Sequence, residues 1–113
     1  MGYERAMDPI ATYRQYLEKK PTDRFALYSL ALAYKKAGQF EEAELAFAAL
    51  LTEHPQSGAG HYQHGLLYAE AERDEEALNA WNSGLKALRG ANDAESRRSR
   101  SEIEGAIDDL DLD

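Results

Sequence analysis

The chain repeats itself at an offset of 34 residues, and this period constrains its fold more than any other feature. The matched pairs are Ala31 with Gly65, Tyr34 with Tyr68, Ala43 with Ala77, and Phe47 with Trp81. Small residues fall on small residues and aromatic residues on aromatic ones. A fixed period of about 20–50 residues is typical of chains whose similar units stack, because one unit cannot bury its apolar face alone. The period therefore predicts a linear stack of repeats.

Each copy has the apolar spacing of two consecutive helices. In the first copy Leu27, Leu30, Ala31 and Tyr34 stand at i, i+3, i+4 and i+7, which is one face of a helix. A second helix follows in each copy, with Ala43, Ala46, Phe47, Leu50 and Leu51 in one and Ala77, Leu78, Trp81 and Leu85 in the other. Each repeat is thus predicted to be a helix, a short turn and an antiparallel helix.

One further helix is predicted on each side of the two copies. Asp8 before Pro9 is a strong helix start, and Pro21 ends that helix, so we expect it over residues 8–20. Downstream, Asn92 or Asp93 is expected to cap a final helix, with Glu95 near the place for a capping box. That helix has an apolar stripe made by Ile103, Ala106, Ile107 and Leu110, and we expect it over residues 92–110. Residues 1–7 and 111–113 are expected to be flexible.

The pattern resembles the tetratricopeptide repeat, whose signature is a small residue and Tyr on the first helix, Ala and Phe on the second, and a closing Pro. The copy over residues 24–57 matches it at Leu30, Ala31, Tyr34, Ala43, Phe47 and Pro55, with Gly38 in the turn. The copy over residues 58–91 has His64 where Leu is usual, Glu72 for the turn glycine and Arg89 for the closing proline. The resemblance implies one all-α domain over residues 1–113, a right-handed superhelical stack of about two full repeats with N-terminal and C-terminal capping helices.

Composition argues against several classes of function. The formal net charge of −8 opposes binding to a phosphate backbone, and the absence of cysteine removes thiolate nucleophiles and cysteine-based zinc sites. No apolar run is long enough to span a bilayer, and the first ten residues lack the apolar core of a secretory signal. We therefore expect an acidic cytoplasmic protein that binds neither nucleic acid nor membrane.

The candidate chemical groups all have simpler structural explanations. His61 and His64 stand three residues apart on one helix, as two metal ligands could, but they occupy the predicted core-facing stripe. The acidic runs Glu41, Glu42, Glu44 and Glu72, Asp74, Glu75, Glu76 fall in first turns of helices, where they oppose the positive end of the dipole. The basic cluster Arg97, Arg98 and Arg100 is read as a solvated face rather than an anchor for an acidic partner. We therefore expect that the chain is not an enzyme and that it binds neither a metal ion nor a cofactor.

The helix over residues 24–37 is apolar on a second face that core packing does not need. Phe25, Tyr28 and Leu32 form this row, and Tyr28 and Leu32 align with Tyr62 and Leu66 one period later. The resemblance implies that the first helix of each repeat lines a concave groove. The predicted peptide-binding residues are Phe25, Tyr28, Leu32, Lys35, Lys36, Tyr62 and Leu66.

Two functions remain open at this point. The chain is interpreted as a non-catalytic module that binds a peptide segment of another protein in this apolar groove. The alternative is a self-associating unit, in which the same row forms a homodimer interface. A third reading, in which the capping and terminal helices simply cover the row, would leave no groove. The expected oligomeric state is a monomer or a weak homodimer.

Overall fold

The computed structural model describes residues 8–110, and these residues form six α-helices and no strand. The helices are α1 (Pro9–Lys19), α2 (Arg24–Lys36), α3 (Phe40–Glu53), α4 (Gly58–Glu70), α5 (Asp74–Ala87) and α6 (Ala94–Asp109). The predicted loose ends, residues 1–7 and 111–113, lie outside the described residues.

Four of the six helices begin at a side-chain cap. Asp8, Asp23, Ser57 and Asp93 each accept a hydrogen bond from a backbone N–H in the first turn, at 2.9–3.1 Å. Such a cap satisfies one of the N–H groups that a helix leaves unpaired at its start. α3 and α5 begin without a side-chain cap and instead carry acidic residues in their first turn. Helix starts are thus determined locally by the sequence.

The turns inside the two repeats have the same geometry although their sequences differ. Gly38 has φ +77° and Glu72 has φ +61°, both in the left-handed region. After them, the Gln39 N–H donates to the Tyr34 carbonyl at 3.0 Å, and the Arg73 N–H donates to the Tyr68 carbonyl at 2.9 Å. This is the Schellman ending of a helix, which normally takes glycine. Glu72 therefore adopts a left-handed backbone conformation that usually requires glycine, although it carries a side chain.

The two repeats are the helix pairs α2–α3 and α4–α5, and each has its own apolar cluster. The first cluster is buried between α2, α3 and α4 and comprises Leu27, Ala31, Ala43, Ala46, Phe47, Leu50 and Leu67. The second lies between α4, α5 and α6 and comprises Tyr68, Ala77, Trp81, Leu88 and Ile103. Leu67, which lies on α4, joins the first cluster and so links the two repeats.

The second cluster depends on a very close approach of α4 and α5. A Cβ atom added at Gly65 would lie 2.0 Å from Trp81 Nε1, which leaves no room for a methyl group. The Trp81 indole is 1% exposed, and its N–H donates to the Tyr62 carbonyl at 3.0 Å. Gly65 is therefore required for packing rather than for backbone freedom.

α6 packs against α4 and α5 and covers the second cluster. Ile103 is fully buried there, and Ala106, Ile107 and Leu110 pack around it, as the apolar stripe predicts. The expected capping box does not form. The Ser96 N–H bonds to Asp93, whereas the Glu95 carboxylate lies 3.3 Å from the Arg24 guanidinium. Glu95 stands one residue too early in the helix to reach back to the cap.

The all-α fold class and the repeated helix stack are confirmed. The described residues extend over 53 × 31 × 20 Å, and α1 and α6, at the two ends, make no contact with each other. Such a shape is expected when each unit packs only on its neighbours.

We predict opposite effects on stability for the two turn positions. Glu72→Gly removes the strain of a side chain at positive φ and should stabilise the fold by about 0.5–1 kcal/mol. Gly38→Ala introduces the same strain and should destabilise it by about 1 kcal/mol, since no atom lies within 4 Å of the new methyl group to add a clash. Urea unfolding of both variants measures this. Equal effects of the same sign would contradict the assigned turn geometry.

A second prediction concerns the centre of the second cluster. Trp81→Ala removes the largest fully buried side chain and should cost about 3–5 kcal/mol in the free energy of unfolding. Leu45→Ala on α3 is the control, because that side chain is 71% exposed and its loss should cost little. The midpoint of thermal or urea unfolding distinguishes the two, and a cost below about 1 kcal/mol for Trp81→Ala would rule out this packing.

Candidate functional site

The residues predicted to bind a peptide lie on the first helices of the two repeats, α2 and α4. Phe25 is the most exposed of the apolar residues among them, at 70%. Its ring meets the ring of Tyr13 from α1 edge to face, with the centroids 6.5 Å apart. An exposed aromatic side chain held by a neighbouring ring offers a large apolar contact with little freedom left to lose.

Tyr28 and Leu32 continue this row along α2. Both are partly buried and pack against the first apolar cluster. Burial raises the pKa of the Tyr28 hydroxyl, and the negative charge of Glu102 on α6 raises it further. Tyr28 therefore stays neutral at physiological pH and can act as a hydrogen-bond donor.

Tyr62 and Leu66, the matching residues of α4, have a different environment. Both pack against the second cluster, to which α6 contributes Ile103, Ala106 and Ile107. Part of the apolar row on α4 thus packs in the cluster that the final helix covers. The α2 part of the row, led by Phe25, is the more accessible one.

The two predicted rim lysines are not equivalent. Lys35 Nζ donates to Gln63 Oε1 at 2.9 Å and lies 3.4 Å from Glu70 Oε1, so it links α2 to α4. Its side chain is 18% exposed. Lys36 is exposed and lies at the edge of a cavity between α1 and α2. Lys35 therefore has a structural partner already, and Lys36 is the better placed to meet a ligand.

The cavity between α1 and α2 was missed by the sequence reasoning. It has a volume of about 430 Å³ and a mostly apolar lining made by Pro9, Ile10, Tyr13, Leu32 and Ala33, with Asp8, Ser29, Lys36 and Ala37 around it. One signal in the sequence points to it. Residues 8–20 match the second helix of a repeat, so the place of that repeat's first helix is open in the described part of the chain.

The two histidines of α4 are packed structural residues, as predicted. The His61 ring bonds through Nε2 to the Pro55 carbonyl at 2.7 Å, and its Cβ lies 2.7 Å from where a Cβ of Gly84 would be. The His64 ring lies between Phe47 and Tyr68, with centroids 5.9 and 5.2 Å away. Burial lowers the pKa of both side chains. Within residues 8–110 no group of three His, Asp or Glu side chains converges as a metal site would require.

Most of the acidic residues have the structural role that was predicted, and two do not. Glu41 and Glu42 lie in the first turn of α3, and Asp74, Glu75 and Glu76 lie in the first turn of α5. Glu44 instead accepts a hydrogen bond from the Tyr68 hydroxyl. Burial and this bond raise the pKa of Tyr68 to about 12. Glu72 lies in the turn before α5 rather than in its first turn.

The basic cluster on α6 is more than a solvated face. Arg100 is half-buried and donates to the carbonyls of Leu88 and Ala91, at 2.8 and 2.7 Å. Arg97 donates to the Asn92 carbonyl. Both side chains bind the loop between α5 and α6, where α5 leaves carbonyl groups without helical partners. Two of the three arginines, Arg97 and Arg100, therefore connect α6 to this loop.

The fold and these surfaces define the class of helical repeat proteins. Within that class, the family model described as tetratricopeptide repeat matches residues 25–57. This segment is a tetratricopeptide repeat, and the resemblance predicted from the sequence is confirmed.

A solved structure gives the same fold over most of the chain. It is the crystal structure of a tetratricopeptide repeat protein from Parabacteroides merdae, 22% identical in sequence, with a TM-score of 0.62. The alignment covers 84% of this chain and 36% of the other, so the chain spans about a third of that protein's length. No curated protein matches the sequence.

The family indicates a general role. Tetratricopeptide repeats mediate protein–protein interactions, and proteins built from them are typically non-catalytic scaffolds. In the described part of the chain, no helix has the length and apolar character needed to cross a membrane.

We predict that stability falls in mildly acidic solution because of the two histidines. Their pKa values in the folded state lie below the unfolded value of about 6.5, so the unfolded chain binds more protons in this range. The stability that comes from burying the two neutral histidines is fully present above pH 6.5. It is lost as the pH falls from there through the lower pKa values of the folded state. The melting temperature should therefore decrease between pH 7.5 and pH 5. His64→Leu should reduce this decrease, and an unchanged pH profile in that variant would contradict the explanation.

Proposed function

We propose that the chain binds a peptide segment of a partner protein along the apolar row of α2 and α4, without catalysis. The observation that supports this most is Phe25, a large aromatic residue that is 70% exposed at the start of the row. Exposed apolar patches that continue into half-buried aromatic residues are typical of protein-binding surfaces.

The row provides the parts that a peptide site needs. Phe25, Tyr28 and Leu32 give apolar contact area on α2, and Tyr28 adds a hydroxyl group that remains a donor. Tyr62 and Leu66 extend the row onto α4, beside the final helix. Lys36 provides an exposed positive charge at one end, while Lys35 holds α2 against α4. A peptide with apolar side chains and an acidic group fits this surface best.

The chemistry of the row argues against one kind of ligand. A groove that grips a C-terminal carboxylate needs Lys, Asn or Arg pointing inward. Here the inward positions are Tyr28, Leu32 and Leu66. The proposed peptide therefore binds through its side chains rather than through its terminus.

Phe25→Ala and Tyr28→Ala test the proposal. Each should weaken capture of the partner by about 1–2 kcal/mol or more, as central aromatic residues of interfaces do. Phe25→Ala should leave the melting temperature almost unchanged, because the ring is mostly exposed. Binding is measured by affinity capture from the native lysate with quantitative mass spectrometry, followed by titration of the captured protein.

Leu45→Ala is the matched control, since Leu45 is 71% exposed and lies on α3, away from the row. It should leave capture unchanged. Light scattering of the purified chain addresses the alternative function. A dimer that dissociates on Phe25→Ala would show that the row binds a second copy and would replace the peptide proposal.

A further inference from the structure

We propose that the cavity between α1 and α2 is a second binding surface, which takes an amphipathic helix that carries an acidic residue near its C-terminal end. This helix would sit where the first helix of a repeat sits on its neighbours. The surface adjoins the peptide-binding row at Leu32 and Lys36, but it faces α1 and includes residues outside that row.

The repeat itself shows what fills such a surface. Moving the cavity residues forward by one period of 34 places Pro9 on Ala43, Tyr13 on Phe47 and Ala33 on Leu67. Those three residues are buried in the first cluster, at 0%, 0% and 5% exposure, together with Leu27 and Ala31 of α2. The surface formed by α3 and α4 is therefore covered by a helix, and that helix is α2. Over α1 and α2 the same surface is open in the described residues.

The lining of the cavity is as apolar as that of the covered surface, but it is less buried and its residues are smaller at one position. Tyr13 and Ala33 are partly buried, although their counterparts are buried. Ala33 is smaller than Leu67 and leaves additional space, which accounts for part of the cavity. A helix with a small residue at the crossing and bulky residues one turn away on each side, as α2 has at Ala31, fits between the two helices.

Charge determines which helix the surface prefers. On the covered surface, Lys35 of α2 bonds to Gln63 and pairs with Glu70 of α4. One period earlier, Ser29 stands at the position of Gln63 and Lys36 at the position of Glu70. The carboxylate of Glu70 thus corresponds to the ammonium group of Lys36. A helix that carried lysine at this place would meet like charge, whereas Glu or Asp would meet a cation.

The remaining charge at this end of the cavity is compatible with an acidic ligand. Asp8 is the N-cap of α1, and its carboxylate already accepts the Ile10 N–H at 3.0 Å. It stands at the positive end of the α1 dipole, which offsets its charge. The ammonium group of Lys36, by contrast, is on an exposed side chain at the cavity edge, where a ligand can reach it.

The same argument disfavours a second copy of this chain as the occupant. If α2 of another molecule bound here, its Lys35 would lie beside Lys36. α6 offers acidic residues, but its apolar residues Ile103, Ala106 and Ile107 already pack in the second cluster. A partner with its own acidic amphipathic helix satisfies both the shape and the charge.

The test uses two synthetic peptides and the full chain. The probe has the sequence of residues 23–37 with Lys35→Glu, because α2 is the helix that fits the equivalent surface, and the control peptide keeps Lys35. Fluorescence anisotropy should show that the probe binds more tightly than the control peptide, by roughly 2- to 5-fold for one partly exposed pair. In the chain variant Lys36→Glu this preference should reverse.

Two further variants locate the binding surface. Ala33→Glu places a charge in the cavity and should weaken binding of the probe by more than about tenfold. Tyr28→Ala, on the peptide-binding row, should leave binding of the probe unaffected, so failure of this proposal and failure of the proposed function can be told apart. Circular dichroism shows whether each variant is folded.

Three results would overturn the proposal. One is no binding of either peptide at millimolar concentration. Another is binding that is lost in Tyr28→Ala and kept in Ala33→Glu, which would place the probe in the row. The third is a dimer of the free chain that Ala33→Glu dissociates, which would show that a second copy covers the cavity.

Discussion

The contact between Gly65 and the ring of Trp81 is the constraint on which the second repeat depends. Because the ring lies against the backbone of α4, the two helices come closer than any side chain at position 65 would permit. The indole N–H then reaches the Tyr62 carbonyl, which fixes both helices in one register. Tyr62 and Leu66, on the same helix as Gly65, pack against the cluster that contains Trp81 and Ile103, so this part of the apolar row is partly buried.

The polar residues of α4 show how this core accepts groups that usually avoid burial. His61 bonds to the Pro55 carbonyl, and Tyr68 bonds to Glu44, so each of these polar side chains has a partner. Arg73 lies over the rings of Phe40 and Tyr68 while it pairs with Glu76. Aromatic faces and a carboxylate together hold this cation at the surface. The junction of the repeats is therefore specified by hydrogen bonds as well as by apolar contact.

The sequence was informative where one residue determines one local structure. Asp8 and Asp93 mark helix starts, and the 34-residue period places Phe47 and Trp81 in equivalent cores. It was less informative where the outcome depends on distant residues. The pairing of Glu95 with Arg24 and of Lys35 with Glu70 joins residues far apart in the chain, and no spacing rule indicates them. The turn at Glu72 also departs from the glycine rule, since a residue with a side chain has a φ of +61° there.

The candidate site, too, was predictable where it depends on local sequence and unpredictable where it depends on distant contacts. The apolar row on α2 could be found from helical periodicity, since two faces of that helix are apolar. Its accessibility could not be found in this way, because it depends on how α6 crosses α4, where Ser99 lies against Gly58.

The two ends of the described stack differ in chemistry. At one end α6 presents charged residues to solvent, and at the other α1 and α2 leave an apolar surface open. Duplication of a repeat is therefore tolerated unequally along such a chain. New helix pairs added before α1 would find a matching surface, whereas pairs added after α6 would need several charged residues replaced first, so an array of this kind lengthens more readily in one direction.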